Sequence, residues 1–265
     1  MKSWSLIIET NPLRGSWNMA VDEYVYSRSL MENRTFLRFY QWERPTASLG
    51  YSQDAEKASD LEFCRDHGIE VVRRMTGGKL VLHYKELTYS VASSDEEAFT
   101  STVRESYRLI SRALLKGLET MGLAARLAPS SPPSYIRGTM PCFAFPARDE
   151  IEIDGRKIVG SAQKRSGASF IQHGSIPLEK DEDLLKSVAR SDSDDGRVSM
   201  TSLEEALGRT VPFEWAAQQF ARGFSDFFGV KLEPFVMNPS DLEAVAGIEA
   251  ERYGNEAWTL KRISG

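Results

Sequence analysis

Apolar residues recur with two different periods along this chain, and the two periods distinguish its predicted strands from its predicted helices. Short or alternating apolar runs predict strands at residues 4–8, 35–42 and 69–74. Helical spacing of apolar residues predicts a helix over residues 18–30. The pattern therefore begins as strand, helix and strand, and the strand over residues 69–74 leads into a glycine turn.

The longest predicted helix begins at a capping box formed by Thr102 and Glu105 and ends at Gly122. Its apolar residues should form one stripe: Val103, Tyr107, Ile110, Leu114 and Met121. A helix with one apolar stripe buries that stripe against a neighbouring layer. We therefore expect this helix to pack across a sheet.

Two shorter helices are predicted from the same capping signal. Ser59 with Glu62 marks the start of one helix, and Thr201 with Glu204 marks the start of another. Cys64 would lie on the inward face of the first helix. We therefore interpret Cys64 as a core residue and not as a reactive thiol.

The second half of the chain changes character near Leu178. Before it, residues 150–163 predict two strands joined by the hairpin signal Asp154-Gly155, and residues 168–173 predict a further strand. After it, an acidic run precedes helical patterns over residues 212–228 and beyond Asn238-Pro239. We predict an α+β fold with a core over residues 1–178 and an α-rich C-terminal extension over residues 179–265, packed on the same domain.

Composition places the chain among soluble globular proteins. It has 265 residues, of which 41% are hydrophobic and 27% charged, enough to bury a substantial core. The net charge of -5 argues against general nucleic-acid binding. No apolar stretch approaches the ~20 residues of a membrane span, and the first ten residues lack a signal-peptide pattern, so we expect a cytoplasmic protein without membrane partners.

The first candidate for chemistry is Cys142, one of two cysteines in the chain. It follows a proline- and serine-rich loop, a setting that favours exposure and reactivity, although a free cysteine is also often a small buried hydrophobe. Lys157 lies in a predicted strand just before the small residues Gly160, Ser161 and Ala162. A lysine there is ordinarily solvated; pointing inward, it requires an anionic partner.

The second candidate is the glycine turn at Gly77-Gly78, which follows Arg73 and Thr76 and precedes His83. Two glycines at the end of a strand let the backbone approach a ligand, although a lone Gly-Gly pair is more often an ordinary hairpin turn. His173 and Gly174 end another predicted strand. The histidines do not have the spacing of a zinc site, and no metal is expected.

Six stretches in this order resemble the superfamily of lipoate ligases and octanoyltransferases, which shares its catalytic fold with biotin protein ligases. They are NMAVDE (18–23), LRFY (37–40), SLGYSQ (48–53), RRMTGG (73–78), GRKIVGSA (155–162) and QHGSI (172–176). The resemblance spans most of the chain. It implies a mixed central β-sheet flanked by helices.

Within that superfamily the chain is most similar to cysteine-dependent octanoyltransferases, through ELTYS at residues 86–90 and Cys142-Phe143. ATP-dependent lipoate ligases typically carry a third glycine after Gly-Gly, where this chain has Lys79. The resemblance implies an octanoyl group moving from acyl carrier protein, through a cysteine thioester, to a lysine of the glycine cleavage H protein or a lipoyl domain. An ATP-dependent lipoate ligase, and an amidotransferase that takes octanoate from H protein, remain alternatives.

The resemblance also implies roles for individual residues. Cys142 would be the nucleophile, and the Lys157 ammonium would favour its thiolate. The substrate-binding residues would be Arg73, Thr76, Gly77, Gly78, His83, Gly160, Ser161, Ala162, His173 and Gly174. No cofactor is required by this route. A positive rim for an acidic carrier protein could come from Arg137, Arg156, Lys164 and Arg165.

Overall fold

The structure is a computed structural model that describes residues 2–99, 102–129, 150–190 and 199–263. Its strands are β1 (Ser3–Ile8), β2 (Phe36–Tyr40), β3 (Thr46–Leu49), β4 (Glu70–Arg73), β5 (Val81–His83), β6 (Glu86–Ser93), β7 (Arg126–Leu127), β8 (Ile151–Ile153), β9 (Arg156–Lys157), β10 (Gly160–Ser166), β11 (Ser169–Pro177) and β12 (Lys231–Pro234). Its helices are α1 (Gly15–Glu32), α2 (Ala55–Ala58), α3 (Leu61–Asp66), α4 (Val103–Thr120), α5 (Glu182–Val188), α6 (Leu203–Leu207), α7 (Phe213–Phe228), α8 (Pro239–Ile248) and α9 (Glu256–Lys261), with a π-helical turn at Glu249–Tyr253. Within these ranges, no helix combines the length and the apolar character that crossing a membrane requires.

A six-stranded mixed sheet in the order β10-β11-β6-β2-β1-β12 forms the centre of the molecule. Strand β1 runs parallel to β2 and β12, whereas the β2-β6, β6-β11 and β11-β10 pairs are antiparallel. Side chains of β2 alternate between the two faces, as the period of a strand requires. Leu37 and Phe39 join a core with α4 and α7, and Phe36 and Tyr40 join a second core with α1. The predicted mixed sheet flanked by helices is confirmed.

Helices α4 and α7 cross one face of this sheet at unusually close range. A Cβ added to Gly223 on α7 would lie 2.3 Å from the amide nitrogen of Gly117 on α4. A Cβ on Gly117 would lie 2.6 Å from the ring of Phe220. The two glycines therefore allow the helix backbones to touch. The predicted stripe on α4 is buried at Ile110 and Leu114, whereas Val103 is half exposed.

The hairpin predicted at Asp154-Gly155 joins β8 to β9, and both turn residues have positive φ, 51° and 77°. The second strand was expected to run on to residue 163, and this expectation is wrong. Strand β9 ends at Lys157, in a small sheet with β7 and β8, and β10 begins at Gly160 in the main sheet. The chain passes from the small sheet to the main sheet between these two residues, so Lys157 and Gly160 belong to different sheets.

The region after Leu178 is integrated into the same core. Helix α7 covers the sheet, and β12 adds a sixth strand beside β1, an element that the sequence pattern did not predict. Strand β12 is short and mostly half-exposed, so its apolar alternation is weak. Helix α8 begins with the expected capping box, formed by Asn238 and Asp241.

The helix starts predicted at Ser59 and Thr201 each differ by one residue from the observed starts. Asp60 caps α3 by accepting from the Phe63 amide, and Ser202 caps α6 by accepting from the Glu205 amide. The Ser59 hydroxyl instead donates to the Val188 carbonyl, 3.2 Å away. In both places two adjacent residues could cap, and tertiary contacts decide which one does.

Replacing Gly223 with alanine should destabilise the protein, because the new methyl group forces α4 and α7 apart. We expect the free energy of unfolding to fall by about 2 kcal/mol, since overpacking costs about 1–3 kcal/mol. Gly247→Ala on α8 is the matched control, because nothing lies within 4 Å of its added Cβ. The control should gain up to about 1 kcal/mol from helix propensity. Chemical denaturation measures the unfolding free energy of both variants. Equal changes in Gly223→Ala and Gly247→Ala would contradict the close contact between α4 and α7.

Candidate functional site

A narrow pocket of about 340 Å³ lies where the main sheet meets the small sheet β4-β3-β5. Its walls come from β10, β11, β6 and β2 of the main sheet, from β3 and β5 of the small sheet, and from α1. The lining residues are Met19, Tyr40, Trp42, Ser48, Arg74, Val81, His83, Thr88, Gly160, Ser161, Ala162, His173, Gly174 and Ser175.

The pocket brings together most of the substrate-binding residues predicted from the sequence. Six of them line it: His83, Gly160, Ser161, Ala162, His173 and Gly174. Thr76 hydrogen-bonds His173, and Gly78 lies so near Ala162 that an added Cβ would be 3.6 Å from its methyl group. Gly77 lies between Thr76 and Gly78 in the same turn. Segments far apart in sequence therefore meet at one place.

The carboxylate of Asp22, on the inward face of α1, is the hydrogen-bonding centre behind this pocket. Four buried side chains donate to it: Arg38 Nη1 (2.8 Å), Tyr40 Oη (3.1 Å), Ser90 Oγ (2.9 Å) and His173 Nδ1 (2.9 Å). A buried carboxylate requires such partners, because leaving water without them costs several kcal/mol.

The Arg38 guanidinium is itself fully buried and is held by the carboxylates of Glu9 and Asp22. Its Nη2 also donates to Asn18 Oδ1, 2.8 Å away, and its centre lies 3.8 Å from the Tyr40 ring centroid. Burial lowers the pKa of Arg38, but the two carboxylates outweigh burial and raise it above the ordinary value. Arg38 therefore remains a cation inside the protein.

His173 is neutral near pH 7, and its tautomer follows from its two partners. Burial lowers its pKa below the ordinary histidine value, although Asp22 opposes the shift. Burial would raise the pKa of Asp22, but His173 and Arg38 together lower it. The imidazole therefore donates Nδ1–H to the Asp22 carboxylate, and Nε2 accepts the hydroxyl hydrogen of Thr76 at 2.7 Å.

A second histidine–carboxylate pair, His83 with Glu86, also borders the pocket. His83 Nδ1 lies 2.7 Å from Glu86 Oε1, and Nε2 lies 2.8 Å from Ser48 Oγ. Its ring stacks on Trp42, with centroids 4.0 Å apart and planes 11° apart. Glu86 also accepts from Ser175 Oγ at 2.5 Å. Among the described residues, no group of three or more His, Cys, Asp or Glu is placed to hold a metal ion.

The glycine turn is held from within by Arg74, whose Nη2 donates to the carbonyls of Gly77 (2.9 Å) and Lys79 (2.7 Å). Gly78 has a φ of 94°, a conformation that favours glycine. Gly50 packs against the turn so closely that an added Cβ would lie 2.0 Å from the Gly78 carbonyl oxygen. The turn is therefore fixed in position beside the pocket.

Arg73 does not line the pocket, although the sequence suggested a substrate contact. Its guanidinium donates to backbone carbonyls on both of its sides: Gly50 (3.0 Å), Tyr51 (3.0 Å), Gln53 (2.7 Å), Thr259 (2.9 Å) and Leu260 (3.4 Å). Trp258 Nε1 donates in return to the Arg73 carbonyl at 3.0 Å. Arg73 thus ties helix α9 to the loop behind the glycine turn.

Ser161 is held beside the pocket by the hydroxyl of Tyr89. The two hydroxyl oxygens lie 2.7 Å apart, and Gln172 Nε2 donates to the Tyr89 hydroxyl at 2.8 Å. Burial raises the pKa of Tyr89 to about 12, which keeps it protonated. Gly174 leaves the space for this contact, because an added Cβ would lie 2.6 Å from Ser161 Oγ.

The two predicted catalytic residues differ in what the structure describes. The Lys157 side chain is fully buried, and its Nζ lies 2.7 Å from Glu150 Oε2, the anionic partner that an inward-pointing lysine requires. Cys142 lies outside the described residues. Cys64 is buried in the core beside Ser59, and burial raises the pKa of its thiol, as expected for an unreactive cysteine.

Three of the four residues predicted as a positive rim lie within the described structure. Arg156 pairs with Glu205 at 2.5 Å, and this contact lowers the pKa of that carboxyl to about 2. Lys164 Nζ lies 5.8 Å from an aromatic ring centroid, and Arg165 donates to nearby backbone carbonyls. Arg137 lies outside the described residues.

Sequence reasoning assigned no site role to Asp22, Glu86, Ser48 or Trp42. Asp22 carried a signal, because a carboxylate on the inward face of a predicted helix must find buried partners. The others become visible only when strands from different parts of the chain are placed side by side.

Residues 14–225 match the family described as the lipoyl protein ligase A/B catalytic domain. The chain is 37% identical to octanoyltransferase LipM of Geobacillus kaustophilus, over 93% of this chain and 94% of that protein. It is 34% identical to octanoyltransferase LipM of Brevibacillus brevis, over 99% of this chain and 100% of that protein.

Solved structures share the fold at lower identity. A lipoate-protein ligase A bound with ATP superposes with a TM-score of 0.85 at 22% identity, covering 99% of this chain and 100% of that one. A bi-partite lipoate protein ligase from Thermoplasma acidophilum gives 0.83 at 20% identity, with 99% and 98% covered. At these identities the likeness establishes the fold.

Asp22→Asn should destabilise the protein, because it removes a negative charge that compensates the buried Arg38. Breaking a buried ion pair costs about 3 kcal/mol or more, which chemical denaturation can measure. Asp226→Asn is the matched control, since Asp226 is exposed and pairs with Arg222 at 3.8 Å on α7. The control should stay within about 0.5 kcal/mol of the wild type. Equal losses in the two variants would contradict the compensating role of Asp22.

The unfolding free energy should decrease as pH falls from 7 to 5, partly because of His173. Its folded-state pKa is lowered, so below about 6.5 the unfolded chain binds a proton that the folded chain does not. Asp22 acts only at lower pH, since its folded and unfolded pKa values lie at or below about 4. Denaturation at several pH values should show a shallower slope in His173→Gln. If the unfolding free energy of His173→Gln changed with pH as steeply as that of the wild type, the assignment would be contradicted. The same would hold if His67→Gln, at the surface, showed the same reduction in steepness.

Proposed function

The chain belongs to the lipoyl protein ligase A/B catalytic domain family, and we propose that it is an octanoyltransferase that moves an octanoyl group in lipoate biosynthesis. The observation that carries the proposal is its identity of 37% and 34% to two octanoyltransferases over nearly their full lengths. Such coverage makes it reasonable to carry the activity over, which a shared fold alone would not. The enzyme is therefore an acyltransferase.

The proposed reaction has two steps and needs no cofactor. The Cys142 thiolate attacks the octanoyl thioester of acyl carrier protein, a new carbon–sulfur bond forms, and the carrier sulfur leaves as a thiolate, which takes up a proton from water. The amine of the acceptor lysine then attacks the Cys142 thioester and releases the cysteine thiolate, while the amine loses its proton. The first step is nearly balanced in free energy, and the second is downhill, because an amide replaces a thioester.

The pocket supports an alkyl chain as its ligand. The imidazole and hydroxyl groups of His173, His83 and Ser48 hydrogen-bond other protein groups, so these residues turn carbon surfaces toward the pocket. Each buried methylene of an acyl chain contributes ~0.8 kcal/mol to binding. We assign the octanoyl chain to this pocket.

Small residues along one wall suit the carbonyl end of that chain. Gly160, Ser161, Ala162 and Gly174 leave room beside β10 and β11, and the Ser161 hydroxyl, 2.7 Å from that of Tyr89, is the donor that we assign to the acyl carbonyl oxygen. The turn at Gly77-Gly78 packs against this wall, where a Cβ added to Gly78 would lie 3.6 Å from the Ala162 methyl group. Preorganised donors of this kind stabilise charge that develops on a carbonyl oxygen.

Lys157 is assigned an electrostatic role. Its buried ammonium would favour the Cys142 thiolate and the oxyanion that forms when the thioester is attacked. Glu150 keeps this cation compensated between turnovers, since an unpaired buried ammonium is costly. The acceptor is the glycine cleavage H protein or another lipoyl domain, whose lysine supplies the attacking amine.

The test is to incubate the purified protein with octanoyl acyl carrier protein in the absence of ATP and to record the intact mass and the modified peptide. We expect one octanoyl adduct on Cys142 and subsequent transfer to H protein. Cys142→Ser should lose transfer by at least about a thousandfold, as nucleophile removal does elsewhere. Cys64→Ala, which alters the other cysteine, should retain activity.

The alternatives make different predictions in the same assay. Acylation that requires ATP and survives Cys142→Ser would identify a lipoate ligase and overturn the transferase. Cysteine-dependent transfer from octanoyl H protein, but not from acyl carrier protein, would identify an amidotransferase. No turnover with any donor would leave only a binding role.

A further inference from the structure

A second pocket, of about 380 Å³ in the described part of the chain, adjoins the acyl pocket, the one to which we assign the octanoyl chain. Ser175 on β11 lines both pockets. Glu86 lines the second pocket, and its carboxylate accepts from Ser175 Oγ at 2.5 Å and from His83 Nδ1 at 2.7 Å. Because His83 and Ser175 belong to the wall of the acyl pocket, Glu86 connects the two pockets.

The second pocket lies at the end of the acyl pocket where the proposed reaction occurs. Ser175 is the partner of Gly160 in the pairing of β11 with β10, beside the small residues assigned to the acyl carbonyl. Met200 also lines the second pocket, and its two neighbours in the chain bind the backbone of Lys157. The Lys157 amide donates to the carbonyl of residue 199 at 2.8 Å, and the amide of residue 201 donates to the Lys157 carbonyl at 2.9 Å. A group in the second pocket is therefore close to both the acyl carbonyl and Lys157.

Carbon surface and carboxylates make up most of the lining of the second pocket. The apolar members are Leu82, Pro177, Leu185 and Met200, and the carboxylates are Glu86, Glu179 and Asp181, against one ammonium, Lys180. A ligand with an aliphatic stem and a positive head matches this lining, because the stem can cover carbon surface while the head stays near a carboxylate.

Glu86 is the innermost of these carboxylates and can accept a further hydrogen bond. It is 4% exposed, whereas the other two carboxylates are exposed. Its Oε1 accepts from His83 and Thr88, and its Oε2 accepts from Ser175. A carboxylate oxygen has two lone pairs, so Oε2 can accept from one more donor. Among the described residues no lysine or arginine forms an ion pair with Glu86, so a cationic ligand would supply the charge that a buried carboxylate favours.

We propose that the second pocket receives the side chain of the acceptor lysine and that Glu86 holds the lysine nitrogen beside the acyl carbonyl, an inference that rests on the proposed function. The four-carbon stem of the lysine lies against Leu82 and Leu185, and its nitrogen donates to Glu86 Oε2 next to Ser175. Holding two reactants side by side lowers the entropic part of the barrier to their reaction. Glu86 begins the ELTYS stretch, and the proposed reaction otherwise gives this residue no role.

The test measures the two half-reactions of Glu86→Gln separately, because this change removes the charge and keeps the size of the side chain. Octanoyl acyl carrier protein first acylates the enzyme, and intact mass gives the rate. Transfer from the isolated octanoyl-enzyme to H protein is then followed in a single turnover. We expect acylation at the wild-type rate and transfer slowed by about tenfold or more, since hydrogen bonds to charged groups are among the stronger ones. The H protein concentration that gives half the maximal rate should also rise.

Leu82→Trp tests the pocket without changing Glu86. Leu82 lines the second pocket and is absent from the lining of the acyl pocket in the described structure, so the larger side chain should obstruct the lysine alone. It should give the same pattern, with normal acylation and slow transfer. Glu249→Gln is the matched control, because Glu249 is a buried carboxylate, 7% exposed, that pairs with Arg14 at 2.7 Å and lines neither pocket. Both of its rates should equal those of the wild type.

A wild-type rate of transfer in Glu86→Gln would overturn the proposal. Equal slowing of acylation and transfer would also overturn it, because that pattern indicates a general effect on the acyl pocket. If Glu86→Gln does not fold, the same two rates in Leu82→Trp decide the question. Failure of the wild-type protein to form an octanoyl-enzyme at all would count against the proposed function, and not against the lysine pocket alone.

Discussion

The carboxylate of Asp22 fixes how the layers of this protein meet. It belongs to α1, yet its donors come from β2, β6 and β11, and His173 extends the connection to Thr76 in the glycine turn. A buried charge tolerates little displacement, because each lost hydrogen bond leaves part of the desolvation cost uncompensated. The hydrogen bonds around Asp22 therefore hold α1, the main sheet and the glycine turn in one arrangement. Their contributions to stability depend on one another.

This network also determines the character of the pocket. Polar side chains at a ligand site normally select polar ligands, but His173 and Thr76 hydrogen-bond within the protein, as do His83, Ser48 and Glu86. What they leave toward the cavity is mainly carbon, including the face of Trp42. A pocket surrounded by charged and polar residues can thus favour an alkyl chain, a conclusion that a list of its residues would not suggest.

The sequence predicted the parts of this structure that depend on local pattern. The strand at β1, the helix α4 with its Thr102 cap, the Asp154-Gly155 hairpin and the buried Cys64 all follow from spacing and turn chemistry. Six of the residues predicted to bind substrate line the pocket, and five of them lie in the ordered motifs. Other features depend on contacts between distant segments: the end of β9 at Lys157, the addition of β12, and the use of Arg73 to hold α9. No periodicity within a single segment encodes such contacts, so they required the three-dimensional arrangement.

Glu86 bears on the proposal that a neutral thioester supplies the acyl group. Its carboxylate lies behind the pocket wall, where His83, Thr88 and Ser175 donate to it. The pocket wall also carries the Arg74 guanidinium, so a buried cation and a buried carboxylate lie close to the same space. A neutral octanoyl thioester has no net charge to interact with either of them. In the proposed reaction, amide formation from a thioester is downhill, so that route requires no activation by a nucleotide.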